Sequence, residues 1–345
     1  MRRKLEGVLS RALNVTFLYP SKDRKVGLIH RSTNRLLKSW FTLNQLPKLG
    51  KGPNVLLILA TAPHFLLSIY ALKGWLKQFD LRIGYVMDGF PVSELDQRAM
   101  SNLDYLFVMN SEITREIQKV HGVDTHFLPL AIDTSNVGLN QNPRWIDILG
   151  YGRTHDQFHK QLIQLAHQPD GPFYFYSTSA SSDIEDYHEH MLLQSKLLSH
   201  AKLNLCFEAS NIPRFQGLSP LLYRWFESWL WGCNPVGRKP FGQGVDELMD
   251  WENSVIELPN DQADWLLFLQ ETLADQETLS ANAQRNYRAC LLQHDWCYRF
   301  QTLFNVVGLP TPESLQVCIN ALQLKANQLP INQVFQVAGI SPITV

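Results

Sequence analysis

The chain has 345 residues, more than one domain usually holds, so two domains are the natural expectation. With 45% hydrophobic and 18% charged residues and a formal charge of −1, it carries the core material of a globular protein, which excludes a disordered chain. No apolar run reaches the roughly 18 to 20 residues of a membrane-spanning helix, because Val55 to Leu72 is interrupted by Pro63 and His64.

The N-terminus, MRRKLEGVLSRALN, is basic but has no apolar secretory core, so a cytoplasmic address is expected. Residues 1–51 hold twelve basic side chains against Glu6 and Asp23, a charge of +10 that leaves −11 for the remainder. Such a stretch is a solvated face, a nucleic-acid patch or a membrane-surface patch. Within it, Arg31 to Leu46 sets Leu36, Leu37, Trp40, Phe41 and Leu43 among cations. That pattern suits a helix at the anionic inner face of a membrane. A helix packed on its own domain fits equally well, and no nucleic-acid partner is expected.

The first half alternates strands and helices. Strands are predicted at 14–19, 54–60, 82–87, 105–109 and 125–130, with helical patterns over 65–78 and 92–100. Ser111 reads as the N-cap of a helix that Gly122 ends. Strands continuous in apolar residues and separated by helices indicate parallel sheets covered on both faces. The polar stretch Asp133 to Pro143 reads as a linker, after which the alternation resumes. Strands follow at 145–149, 173–177, 203–207 and 255–258, with helices over 158–167, 187–201 and 221–231 and from Asp261 onward. The expected division is 1–138, 139–310 and a helical extension or tail at 311–345. Ligands of two such units gather beyond the carboxyl ends of the strands, in the cleft between them. The five cysteines show no metal-ligand spacing and read as buried free thiols.

Three segments carry a family resemblance. NLDYLFVMNSEITREIQKVHGVDTHFLPLAID resembles the end of the N-terminal domain of GT-B glycosyltransferases, with its "LPLGID"-like turn. ILGYGR (148–153) resembles the glycine-plus-arginine turn opening their C-terminal domain. GLSPLLYRWFESWLWGCNP is similar to their donor-site helix, through Glu227, Gly232, Pro235 and Val236. Within that fold the chain looks like the spore-maturation-protein-type branch of the family 4-like enzymes, through Arg224-Trp225-Phe226-Glu227, SVIELPND and LLQHDWCYRF. The resemblance covers residues 54–305.

It implies an α/β GT-B architecture: two Rossmann-like, doubly wound parallel-sheet domains facing a cleft that binds a nucleotide-sugar donor. It also implies transfer to a hydroxyl acceptor (glycan, lipid or protein) with retention of configuration. Gly150 and Gly152 would let backbone N–H groups approach the diphosphate, and Arg153 would neutralise it as it leaves. The alternative is an ordinary strand-to-helix turn with a surface arginine. Lys160 and Arg224 are further cations of the same cleft, although Lys160 also reads as part of a solvated helix face. Glu227 would hold the ribose hydroxyls, the alternative being an ion pair with Arg224. Ser219 reads as an N-cap facing phosphate or sugar.

Two departures from the family stand out. Relatives often carry a glutamate eight positions before the donor-site one, where this chain has Ser219. They also often have a histidine where this chain has Met87, followed by Asp88. Asp88 and His64 are therefore the catalytic candidates on the acceptor side, Asp88 also reading as a turn cap. No HExxH, Asp-x-Asp, Walker A or full GxGxxG sequence occurs, and neither metal nor cofactor is expected. The rivals are a nucleotide-sugar epimerase of the same architecture and a non-catalytic protein that kept the cleft. A periplasmic-type solute receptor would need a secretion signal.

Overall fold

In a computed structural model, residues 2–22, 41–43, 49–50, 52–152, 155–176 and 186–329 are described. Arg153, the tail from Pro330 and all of the expected 31–46 helix except 41–43 lie outside them. Phe41–Thr42 (β2) is extended instead, paired antiparallel with Ser21–Lys22 (β1).

The first lobe is built on four parallel strands in sequential order: β3 Val55–Ala60, β4 Leu81–Val86, β5 Tyr105–Val108 and β6 Asp124–Phe127. The helix expected at 65–78 is present but wound as a 3-10 helix from Pro63 to Gln78. Among its buried residues, Pro63, Leu66, Ile69 and Leu72 recur every third position, the period at which a 3-10 helix stacks side chains, with Ala71 buried beside them. The helix expected over 92–100 breaks into a turn at Val92–Glu94 and a short helix α2, Gln97–Met100. Asp96 enforces the break by accepting the N–H groups of Arg98 and Ala99. Helix α3, Thr114–His121, ends at Gly122, whose φ of 71° is the left-handed cap conformation. Ser111 does not cap it: Ile113 is the N-cap, and the Ser111 hydroxyl donates to the Gln243 carbonyl.

These helices cover one face of the sheet, where Leu56, Ile58, Val86, Leu106 and Val108 pack with Leu66, Ile69 and Ile117. The opposite face is covered by the ends of the chain. Ile83, Tyr85 and Phe107 join a core with Leu5 and Leu9 of helix α1 (Arg2–Ala12) and with Trp296 and Phe300. In α1, buried Leu5, Val8, Leu9 and Ala12 form the stripe of an amphipathic helix, a helix not among the predicted elements. The strand predicted at 14–19 is irregular, and Val15 and Tyr19 are exposed rather than packed on a partner strand.

The second lobe holds β7 Ile146–Gly150, β8 Tyr174–Tyr176, β9 Ala201–Cys206, β10 Asn234–Gly237 and β11 Ile256–Glu257, all parallel. Their order is β11-β10-β9-β7-β8. After β8 the chain returns across β7 to lay down β9, so the winding reverses between β7 and β9. Helices α4 (Asp156–Ala166), α5 (Tyr187–His200), α6 (Tyr223–Leu230), α7 (Trp265–Ala274) and α8 (Gln276–Gln293) accompany this sheet. Helices α9 (Trp296–Val306) and α10 (Glu313–Asn327) then cross to the first lobe and α1. The expected α/β architecture of two parallel sheets is therefore present.

The connection between lobes is strapped rather than loose. Arg299 donates to the Pro129, Leu130 and Gln293 carbonyls, and burial holds its pKa down to about 10. The Tyr85 hydroxyl donates to the Leu128 and Pro129 carbonyls. Asp295 accepts the N–H and hydroxyl of Thr134 at 2.8 and 2.7 Å. Within the 133–143 linker, the Asn140 amide donates to the Ser199 and Trp231 carbonyls.

Candidate functional site

In an open α/β sheet the crevice lies outside the carboxyl ends of the strands where the winding reverses. Here those ends are Gly150–Gly152 after β7 and Phe207–Glu208 after β9. Gly152 has φ +73°, and a Cβ there would overlap the Arg224 guanidinium, so the turn needs glycine for conformation and for space. Gly150 is crowded likewise by the Tyr174 ring. Arg224 is buried, 9% exposed, with its guanidinium 5.5 Å from the Tyr151 ring centre and donating to the Leu205 carbonyl at 3.4 Å. A buried cation against a backbone turn is the arrangement that neutralises phosphate.

Glu227, one helical turn beyond Arg224 on α6, is half-buried. It accepts the Tyr151 hydroxyl at 2.9 Å and the Gln194 amide of α5 at 3.0 Å. The Tyr151 pKa is raised well above the ordinary value, first by burial and then by the Glu227 charge beside it, with Arg224 pulling the other way. Tyr151 thus stays a neutral donor and fixes the carboxylate. The glycine turn and the Glu227 helix are in direct contact, and Glu227 is not sealed in the interior.

Ser219 does not cap α6, whose N-cap is Leu222. Its hydroxyl, nearly inaccessible, donates to Glu208 at 2.9 Å, and Glu208 also accepts from the Ser210 hydroxyl at 2.8 Å. Ser219 therefore has a carboxylate beside it, supplied from just beyond the end of β9.

The strand ends of the first lobe face this region. Asp88, just beyond β4, accepts its neighbour's N–H (Gly89) at 2.8 Å and pairs with Arg214 at 3.3 Å, both through Oδ1. Phe215 packs so tightly on Gly89 that no Cβ would fit there. Beyond β5, the Glu112 carboxylate accepts the Gln243 N–H at 2.9 Å. The 208–219 and 241–245 loops of the second lobe thus close on the carboxyl ends of the first.

The structure brings Gly150, Gly152, Arg224 and Glu227 together, sets Ser219 one loop away and pairs Asp88 of the first lobe with Arg214 of the second. His64 is exposed on the 3-10 helix, its ring 4.1 Å from that of Phe65, and shares no hydrogen bond with the others. Lys160 is exposed on α4, and its side chain makes no hydrogen bond or ion pair among the described residues. His155 and His159, four apart in sequence, turn to separate partners, Gln262 and Tyr174. Among the described residues no group of three His, Cys, Asp or Glu is placed to hold a metal ion, and no helix is long and apolar enough to cross a membrane.

Tyr151, Gln194, Glu208 and Arg214 were not among the sequence candidates. Tyr151 lies inside the quoted Gly-Tyr-Gly turn and Glu208 directly follows an apolar strand, so both had a local signal. Gln194 and Arg214 reach the site only through tertiary folding.

The chain matches no family model and no curated protein. Among solved structures it is similar to Anabaena HepE in complex with UDP and glucose, at 12% identity over 73% of this chain and 77% of that one, TM-score 0.47. It is similar to the pneumococcal O-GlcNAc transferase GtfA with UDP and GlcNAc, at 13% identity over 71% and 52%, TM-score 0.40. The third is S. aureus TarM with fondaparinux, alpha-GlcNAc-glycerol and UDP, at 9% identity over 72% and 55%, TM-score 0.46. At such scores the architecture rests on the chain's own strand pairing.

Proposed function

We propose that this protein transfers a sugar from a nucleotide-sugar donor to a hydroxyl acceptor. The observation that carries the reading is the Gly152 turn lying under the buried Arg224 guanidinium at the reversal point of the second sheet, with Glu227 beside it. That arrangement has a cation and open backbone for a diphosphate and a carboxylate for a ribose diol. Arg153, adjoining the turn in sequence, and Lys160 on the following helix are the further cations of this reading.

In the step itself, the acceptor oxygen bonds to the anomeric carbon as the bond from that carbon to the phosphate oxygen breaks. The nucleoside diphosphate leaves with the electron pair, and its phosphate oxygen takes the acceptor proton. Asp88 orients the acceptor hydroxyl through Oδ2, its other oxygen being held by Arg214 and Gly89. His64 is the second acceptor-side candidate. Retention of configuration and membership of the spore-maturation-protein-type branch follow the sequence resemblance, as does independence from a metal. Lobe boundaries near 138/139 and 310/311 belong to the same reading, as does contact of the basic 1–51 segment with the inner face of a membrane.

Titration calorimetry with a panel of nucleoside diphosphates tests it. At least one binds to the folded protein, and binding weakens in Arg224→Leu. No binding by any member of the panel sinks the reading. Product analysis by mass spectrometry then distinguishes transfer from epimerisation, which alters the donor without an acceptor, and from binding without turnover.

A further inference from the structure

The end of the second sheet away from the cleft carries a feature the transfer reading does not use. Trp145 immediately precedes β7, Phe173 immediately precedes β8, and His200 immediately precedes β9, three neighbouring parallel strands. The strand spacing therefore sets their rings side by side at the amino edge. The Trp145 and Phe173 rings are 5.8 Å apart and nearly parallel at 17°, and the Trp145 and His200 rings are 5.4 Å apart at 31°. Trp145 is 55% and Phe173 47% exposed, and Trp145 is the only exposed tryptophan among the described residues.

The row is anchored from below. Asp147 accepts the Phe173 N–H at 2.8 Å and the Lys202 ammonium at 2.6 Å. His200 donates from Nδ1 to the Pro143 carbonyl at 2.9 Å, which fixes the ring's orientation. Among the described residues no group accepts from the Trp145 indole N–H. Exposed Gln141, Asn142, Gln168 and Asp170 lie in the two loops that lead into β7 and β8.

We propose that this edge binds a carbohydrate chain, its sugar rings lying on the Trp145–Phe173–His200 row. The solvent-facing parts of these stacked rings suit the C–H groups of pyranoses, while the indole N–H, the imidazole and the flanking amides serve their hydroxyls. A folded protein partner fits less well: a stable interface engages roughly 20 to 30 residues a side around an apolar centre, and this row is bounded at once by polar side chains. The site lies at the opposite end of the sheet from Gly152 and Glu208, and it stands whether or not the cleft transfers a sugar.

Affinity electrophoresis of the full chain through gels containing dextran, hydroxyethylcellulose, xylan or laminarin tests this, alongside Trp145→Ala, Phe173→Ala and the cleft variant Glu227→Gln. Both ring positions are exposed, and circular dichroism checks that the variants fold. At least one polysaccharide retards the wild type, the affinity falls about tenfold or more in each ring variant, and Glu227→Gln binds as the wild type does. Retardation by none of the four overturns the proposal, as does binding that survives Trp145→Ala or is lost in Glu227→Gln. Sedimentation velocity adds a further check: self-association of the wild type that Trp145→Ala abolishes would make the row a protein contact and overturn it too.

Discussion

Replacing Gly152 by alanine perturbs the phosphate turn with a single methyl group. The native φ of +73° lies in the left-handed region, where a side chain costs about 1 to 2 kcal/mol. The new Cβ also occupies the space of the Arg224 guanidinium, so that group must leave its place 5.5 Å over the Tyr151 ring. Losing that contact costs a further ~0.5 to 1 kcal/mol. The sum, about 2 kcal/mol, lowers the melting temperature by roughly 2 to 4 °C for a protein of this size. Displacing Arg224 from a bound diphosphate removes a charge-assisted hydrogen bond of about 1.5 to 3 kcal/mol, a loss of roughly tenfold to a hundredfold in affinity. Scanning calorimetry and titration calorimetry read the two effects separately. Gly138→Ala, in open space on the linker, is the control that changes neither. A Gly152→Ala protein that melts early but binds nucleoside diphosphate as tightly as wild type refutes the phosphate role. Unchanged melting refutes the packing argument.

Asp88→Asn lowers the transfer rate about a hundredfold or more while leaving donor affinity unchanged, because it acts on the acceptor side; equal loss of donor binding in calorimetry counts against that placement. Arg299→Met removes the Arg299 donor from the Leu130 and Gln293 carbonyls and His294 Nδ1, and leaves the Pro129 carbonyl to Tyr85 alone. It destabilises by about 3 kcal/mol or more, measured by urea unfolding. His294 is fully buried, and burial, then the neighbouring Arg299 charge, hold its pKa well below 6.5. As pH falls below 6.5 the unfolded chain takes up a proton that the folded chain refuses, so stability declines by up to about 1.4 kcal/mol per pH unit. The decline measured between pH 6.5 and 5.5 is shallower in His294→Phe, a ring that still fits between Phe226 and Trp229.

Four of the five second-lobe strands were legible as short apolar runs with turn residues between them, whereas β10, Asn-Pro-Val-Gly, is no such run and was not among the predicted strands; the reversal between β7 and β9 follows once pairing is known. The period-three burial of Pro63, Leu66, Ile69 and Leu72 was equally visible, yet a helical pattern alone does not distinguish the tighter winding. Helix α1 has a clear apolar stripe that its many cations obscure. In the site, Gly152 and Glu227 stood out because a glycine at a strand end and a carboxylate in an apolar helix each demand a reason. The Glu208–Ser219 and Asp88–Arg214 pairs were not legible, since their partners lie 11 and 126 positions apart and meet only through loop packing. Ser219 failed as a cap for a related reason: α6 starts two residues later than the apolar pattern suggests, and a carboxylate claims its hydroxyl first.

The central claim is that a pyrophosphate rests between the turn after β7 and helix α6. A crystal structure of the protein with a bound nucleoside diphosphate measures this directly. The account predicts phosphate oxygens within hydrogen-bonding reach of the Gly152 N–H and the Arg224 guanidinium, with the ribose hydroxyls on Glu227. A nucleotide seated elsewhere, with Arg224 still folded over Tyr151 and Glu227 still held by Tyr151 and Gln194, would contradict it.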